Sequence, residues 1–152
     1  VSHRFFDHTA DVGVDIRAPS RDALFTEALR AFTDTLLPLD RLETPGPVER
    51  EISLTADSLE DLLVAWLEEL LFLFEVDSLL FSGAGVRVEE GPDGGPGPGP
   101  DPESFRLHAT ARGEVYDPER HPLKVLIKGV TYHELTVEET PNGWWARVIF
   151  DI

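Results

Sequence analysis

Apolar and polar positions follow two rhythms along this chain. In DHTADVGVDI, Val12, Val14 and Ile16 fall on one side and Gly13 and Asp15 on the other, the period of a half-buried strand. Ser20 then offers a helix N-cap, and Phe25, Leu29, Phe32 and Leu36 repeat at helical spacing until Pro38 stops the run. After the turn ETPGP, Val48, Ile52 and Leu54 alternate with Glu49, Glu51 and Ser53 as a second strand. Ser58, with Asp61 three residues on, resembles a capping box and opens a second helix over about 59 to 75. Its polar strip is narrow: Asp61, Glu68 and Glu75, with Glu60 and Glu69 beside it. A helix so apolar around its circumference is buried by its own fold or in part by another chain, so a homo-oligomer stays open.

Four strands follow. LLFSGAGVRVEE reads as the first, and SFRLHATARGEVY resumes strand alternation beyond a Gly/Pro tract, GPDGGPGPGPDPE. That tract, residues 91 to 103, reads as a flexible low-complexity loop at a hairpin tip. DPERHP is a turn, and KVLIKGVTYHELTVEET and GWWARVIFDI form a hairpin about Pro141-Asn142-Gly143. The order β-α-β-α-β-β-β-β predicts an α+β fold. It is a single domain over 1–152, a mostly antiparallel β-sheet with two helices packed on one face.

Charge narrows the partners. Thirteen basic residues against 29 acidic ones give a net charge of −16, and no two basic residues are adjacent. Phosphate neutralisation supplies most nucleic-acid affinity, so direct, tight RNA or DNA binding is disfavoured, while cations or a basic protein suit the surface. With no cysteine there is no disulfide framework and no thiolate metal site, which is compatible with the cytoplasm. No signal-peptide pattern opens the chain. The most apolar run, residues 62 to 74, would rise only about 20 Å as a helix against a hydrocarbon core of roughly 30 Å, so no membrane role is expected. Methionine is absent, and Val1 reads as the residue left by removal of an initiator or by trimming.

Two constellations carry chemistry. Asp7, His8 and Asp11 precede the first strand, while Asp151 and Ile152, with its α-carboxylate, close the last. If those strands are neighbours, hard oxygen donors converge, and they repel one another unless a proton or a cation such as Ca²⁺, Mg²⁺ or Mn²⁺ intervenes. The plain alternative is that Asp7 and Asp11 cap turns and Asp151 is solvated. The second constellation is KGVTYH, where Lys128 and the Tyr132–His133 pair would set a cation and a titrating group near an anionic site; ordinary surface polarity is its alternative. The five histidines show no HxH or HExxH spacing, the glycines at 91 to 99 are interrupted by proline, and GxSxG is absent.

DHTADVG, WLEELLFLF, KGVTYHELTV and the terminal IFDI, in this order, resemble the archease family over nearly the full length. Gly129 stands where that family more often has alanine. The resemblance implies an α+β protein cofactor, not itself an enzyme, of the RtcB-class tRNA-splicing RNA ligase, promoting the ligase's guanylylation and multiple turnover. It also implies a divalent-metal site at Asp11, Asp151 and Ile152. Lys128 is implied to contact nucleotide or partner, and Asp7 and His8 to orient Asp11. Two other readings remain open: a metal-dependent phosphohydrolase, and a chaperone-like assembly module using the apolar helix.

Overall fold

The computed structural model describes residues 1–8, 11–91 and 104–152. Seven strands and two helices follow in the order β1 (Ser2–His8), β2 (Asp11–Ala18), α1 (Arg21–Leu36), β3 (Val48–Ala56), α2 (Leu59–Asp77), β4 (Leu79–Glu90), β5 (Phe105–Val115), β6 (Gly129–Thr140) and β7 (Gly143–Asp151). The α+β class and the antiparallel pairing match the expectation from sequence. The strands divide, however, between two sheets, β1-β2-β7-β6 and β3-β5-β4.

Both helices start where their caps predict. The Ser20 hydroxyl accepts from the Ala23 N–H at 3.1 Å and that of Ser58 from Asp61 N–H at 3.0 Å, each taking an N–H that has no partner within its helix. Trp66, fully buried in α2, donates its indole N–H to the carbonyl of Phe25 in α1 at 2.9 Å, which fixes the two helices against each other. Phe32 of α1 meets Phe150 of β7 edge-to-face with centroids 5.9 Å apart. Val14, Ile16, Ala146, Val148 and Phe150 turn to this core from the first sheet, and Ile52, Leu107, Ala109 and Ala111 from the second.

Helix α1 also closes an edge. β4 is terminal in its sheet, and an edge strand presents backbone groups ready to pair with another chain. Here Asp22 accepts from the Val88 N–H, Arg21 donates to the Val88 carbonyl, and the hydroxyls of Thr26 and Thr33 donate to the carbonyls of Ala84 and Phe81. The same helix that packs on β2 and β7 therefore occupies β4, and so ties the two sheets together.

Three details differ from the sequence reading. β1 is a strand of its own. β6 begins at Gly129, not at Lys124, because β7 ends at Asp151, opposite Gly129, and offers the residues before Lys128 no partner. Between Thr131 and Thr136 β6 also bulges away from β7, with Glu134 at φ 54°. The Gly/Pro tract lies outside the described residues from 92 to 103, but its flanks pair as a hairpin should, Glu90 opposite Phe105.

Candidate functional site

Strands β2 and β7 lie side by side, antiparallel, with Val14 opposite Val148 and Ile16 opposite Ala146 on the core side. Their other face is polar, and one interaction there pins the register. Arg147 grips Asp15 opposite it with two parallel hydrogen bonds, 2.8 Å to Oδ1 and 3.0 Å to Oδ2, and the Trp145 indole N–H adds a third at 3.1 Å. The Arg147 guanidinium also lies 4.6 Å from the centroid of the Phe6 ring. Phe6 in turn covers Gly13: a Cβ there would come within 2.2 Å of the ring. The hydrogen bonds from Arg147 hold the Asp15 carboxyl below its usual range, outweighing the opposite effect of burial.

Four positions along from this clamp, the register sets Asp11 directly opposite Asp151, and Gly129 of β6 opposite Asp151 on its other side. Directly opposed residues share a face, with Cβ atoms about 4.5–5.5 Å apart. Two residues separated by nearly the whole chain thus meet at one end of the sheet. A slip of one residue would turn Asp11 to the core face, so the Asp15–Arg147 clamp is what makes this encounter reproducible. Asp11 is half-buried and Asp151 exposed.

Of the other sequence-predicted residues, Lys128, Ile152, Asp7 and His8 lie at this end of the sheet, whereas Tyr132 and His133 stand in the bulge of β6. The Lys128 backbone N–H donates to the Asp151 carbonyl at 2.7 Å, and its side chain is exposed. Ile152 packs its side chain against the core. Asp7 and His8 are the last residues of β1, His8 opposite Asp11. Thr9 and Ala10, inside the acidic knot, lie outside the described residues. Sequence reasoning missed Asp15, Trp145 and Arg147, since their partnership needs the adjacency of β2 and β7; the one signal was an aspartate on the polar side of a strand.

Two further ionic knots lie away from this end. His3 places one ring nitrogen on Glu27 and the other, at 3.0 Å, on Asp34, bracing β1 against α1. His121 and Glu114, both buried, bond to each other, while Glu114 also accepts from Arg120 at 2.9 Å and from the Glu43 N–H at 3.0 Å. Burial pushes the Glu114 carboxyl up, but these hydrogen bonds outweigh it and leave it below its usual value.

The profile of the Archease protein family (MTH1598/TM1083) matches residues 3–152. The chain belongs to the archease family. It is 37% identical over 153 residues to the protein archease of Methanosarcina mazei, covering 99% of this chain and 95% of that one. To the protein archease of Pyrococcus furiosus it is 32% identical over 148 residues, with 97% and 96% covered. The solution structure of Methanobacterium thermoautotrophicum protein 1598 superposes with a TM-score of 0.76 at 27% identity, over 99% of this chain and 98% of that one. A crystal structure described as "an archease, possible chaperone" from Thermotoga maritima shares the fold, with a TM-score of 0.59 at 17% identity and 97% and 94% covered.

The acidic end has the chemistry of a hard-cation site. Asp11 and Asp151 offer carboxylate oxygens, and there is no cysteine or methionine to offer soft donors. Beside Asp151 there is room: a Cβ built on Gly129 meets nothing within 4 Å. Among the described residues no group of three or more His, Cys, Asp or Glu side chains is close enough to hold a metal. The two carboxylates of Asp11 and Asp151 would suit an ion that keeps several waters or takes further ligands.

Proposed function

We propose that this chain is a protein activator of an RtcB-class tRNA-splicing RNA ligase in the cytoplasm, and that Asp11 and Asp151, with Ile152, hold a divalent cation at the contact. The observation supporting this reading is the pairing of Asp11 with Asp151 across β2 and β7. Like charges so placed repel, and a cation between them removes that cost. Ca²⁺, Mg²⁺ and Mn²⁺ all accept such oxygen ligands. When bound, the ion would supply positive charge to stabilise phosphate oxygens during transfer of GMP to the ligase.

The residues of the chain hold and aim the site. Asp15 and Arg147 keep the two strands in register, Lys128 caps the main chain of Asp151 and adds an exposed cation beside it, and His8 stands beside Asp11. A charge of −16 suits a partner whose RNA-binding groove is basic, and steering of this kind weakens as salt is added. The activator itself then has no need to grip RNA.

The test is single-turnover guanylylation of the cognate ligase with labelled GTP and Mn²⁺, with and without this protein, beside calorimetric titration of Mn²⁺ into the protein alone. Wild type should accelerate the reaction, and Asp151→Asn and Asp11→Asn should each lose the acceleration and weaken Mn²⁺ binding at least tenfold. Acceleration unchanged in both variants would remove the metal from the reading. No acceleration by wild type would remove the ligase.

A further inference from the structure

Helix α2 is the more apolar of the two helices, and eight of its 19 residues are buried on one side of it. One strip is not buried. Asp61, Ala65, Glu68, Phe72, Glu75 and Val76 succeed one another at helical spacing, with Phe72 53% and Val76 61% exposed. Alongside lies the bulge of β6, which carries Tyr132 out from the sheet, 62% exposed, with Asp61 and Glu68 of α2 near its hydroxyl. Apolar side chains framed by carboxylates thus form a band about 22 Å long from Asp61 to Val76.

The charge of this band is one-sided. α2 contains Glu60, Asp61, Glu68, Glu69, Glu75 and Asp77 and no basic residue. Glu75 and Asp77 stand in its last turn, at the negative end of the helix dipole, where carboxylates are unfavourable. Local stability therefore does not account for them, and sites that break a local rule are where function is expected. A second copy of this chain is a poor occupant, because it would bring the same carboxylates face to face on molecules of charge −16. Nucleic acid and anionic membranes are repelled by the same field. What fits is a cationic surface with an apolar stripe.

We propose that the exposed strip of α2, together with the Tyr132 bulge, is a docking surface for a basic amphipathic helix of a protein partner. The partner's apolar residues cover Phe72 and Val76, its Lys or Arg side chains meet Glu68 and Glu75, and the pair lies as helix on helix. This proposal does not rest on the metal reading. The bulge begins three residues beyond Gly129, or about 10 Å along β6, so a partner seated here also reaches the Asp151 end of the sheet.

The experiment titrates the isotope-labelled protein with a synthetic 18-residue Leu/Lys peptide of helical amphipathic spacing, following amide shifts. A scrambled peptide of the same composition is the control. Shifts confined to α2 and residues 131–136 are expected, with affinity falling at least tenfold in Phe72→Ser/Val76→Ser, in Glu68→Gln/Glu75→Gln, and with the scrambled peptide. Shifts spread over the acidic surface, or equal binding of the scrambled peptide, would overturn the proposal. So would undiminished binding by the Phe72→Ser/Val76→Ser variant, whose charge is unchanged. Shifts in α2 on concentrating the protein alone would assign the strip to self-association instead.

Discussion

Replacing Thr33 by valine tests the claim that α1 seals the edge of β4. Thr33 is buried, and its hydroxyl donates to the Phe81 carbonyl at 2.7 Å. Valine has nearly the same shape and helix propensity, so neither a cavity nor a propensity term enters. What is lost is a buried donor, leaving a buried carbonyl short of a partner, which costs about 1–3 kcal/mol. For a chain of this size, 2 kcal/mol lowers Tm by about 4–8 °C. Thr35 supplies the internal control. It is also buried, but its hydroxyl donates at 2.8 Å to the Ala31 carbonyl, four residues back in the same helix, which the backbone N–H of Thr35 is placed to satisfy. Thr35→Val should therefore cost under about 0.5 kcal/mol. Urea unfolding followed by tryptophan fluorescence measures both. Equal stabilities for the two variants, or a Thr33→Val protein within about 0.5 kcal/mol of wild type, would refute the edge-sealing account.

Two glycines should behave oppositely. A Cβ at Gly113 would lie 2.0 Å from the Leu80 carbonyl oxygen and 2.7 Å from the Phe81 Cα, so Gly113→Ala should destabilise by about 3 kcal/mol or more. Gly129→Ala meets open space and should unfold within about 0.5 kcal/mol of wild type. His3 predicts a pH dependence. Its hydrogen bond to Glu27, opposed by burial and aided by Asp34, raises its pKa above 6.5 in the folded state. The folded state thus binds the proton more tightly than the unfolded state. The resulting stabilisation is complete below pH 6.5 and is lost as pH rises through the folded-state value. Denaturant midpoints measured from pH 5.5 upward should fall in wild type over that window and fall less in His3→Gln; parallel curves would contradict this.

Periodicity alone located both helices, their serine caps and the last hairpin, because each depends on neighbours a few residues apart. β1 escaped because SHRFFDH puts phenylalanine on both faces: Phe5 stands opposite Val14 on the core side, while Phe6 lies over Gly13 and under Arg147. An outward phenylalanine breaks the alternation that would announce a strand. The division into two sheets was equally hidden, since it depends on β2 choosing β7 over the nearer β3. For the acidic end, composition and the conditional adjacency of the first and last strands suggested Asp11 and Asp151. Their register became visible only with the Asp15–Arg147 contact, a long-range pair with no local signature.

The pairing of β2 with β7 sets a timetable for the chain's birth. At about 5–20 residues per second, roughly 7–28 s separate synthesis of Asp11 from that of Asp151, whereas a hairpin such as β1–β2 closes in about 1–10 µs. The nascent hairpin therefore waits for the strand that will cover its open side, with α1 the nearest available shelter for its apolar face. A chain released before β7 would have half of the acidic end and an unpaired β2. Acquisition of the candidate site thus waits on synthesis of β7, and products truncated before it should both lack the site and be prone to stick to one another.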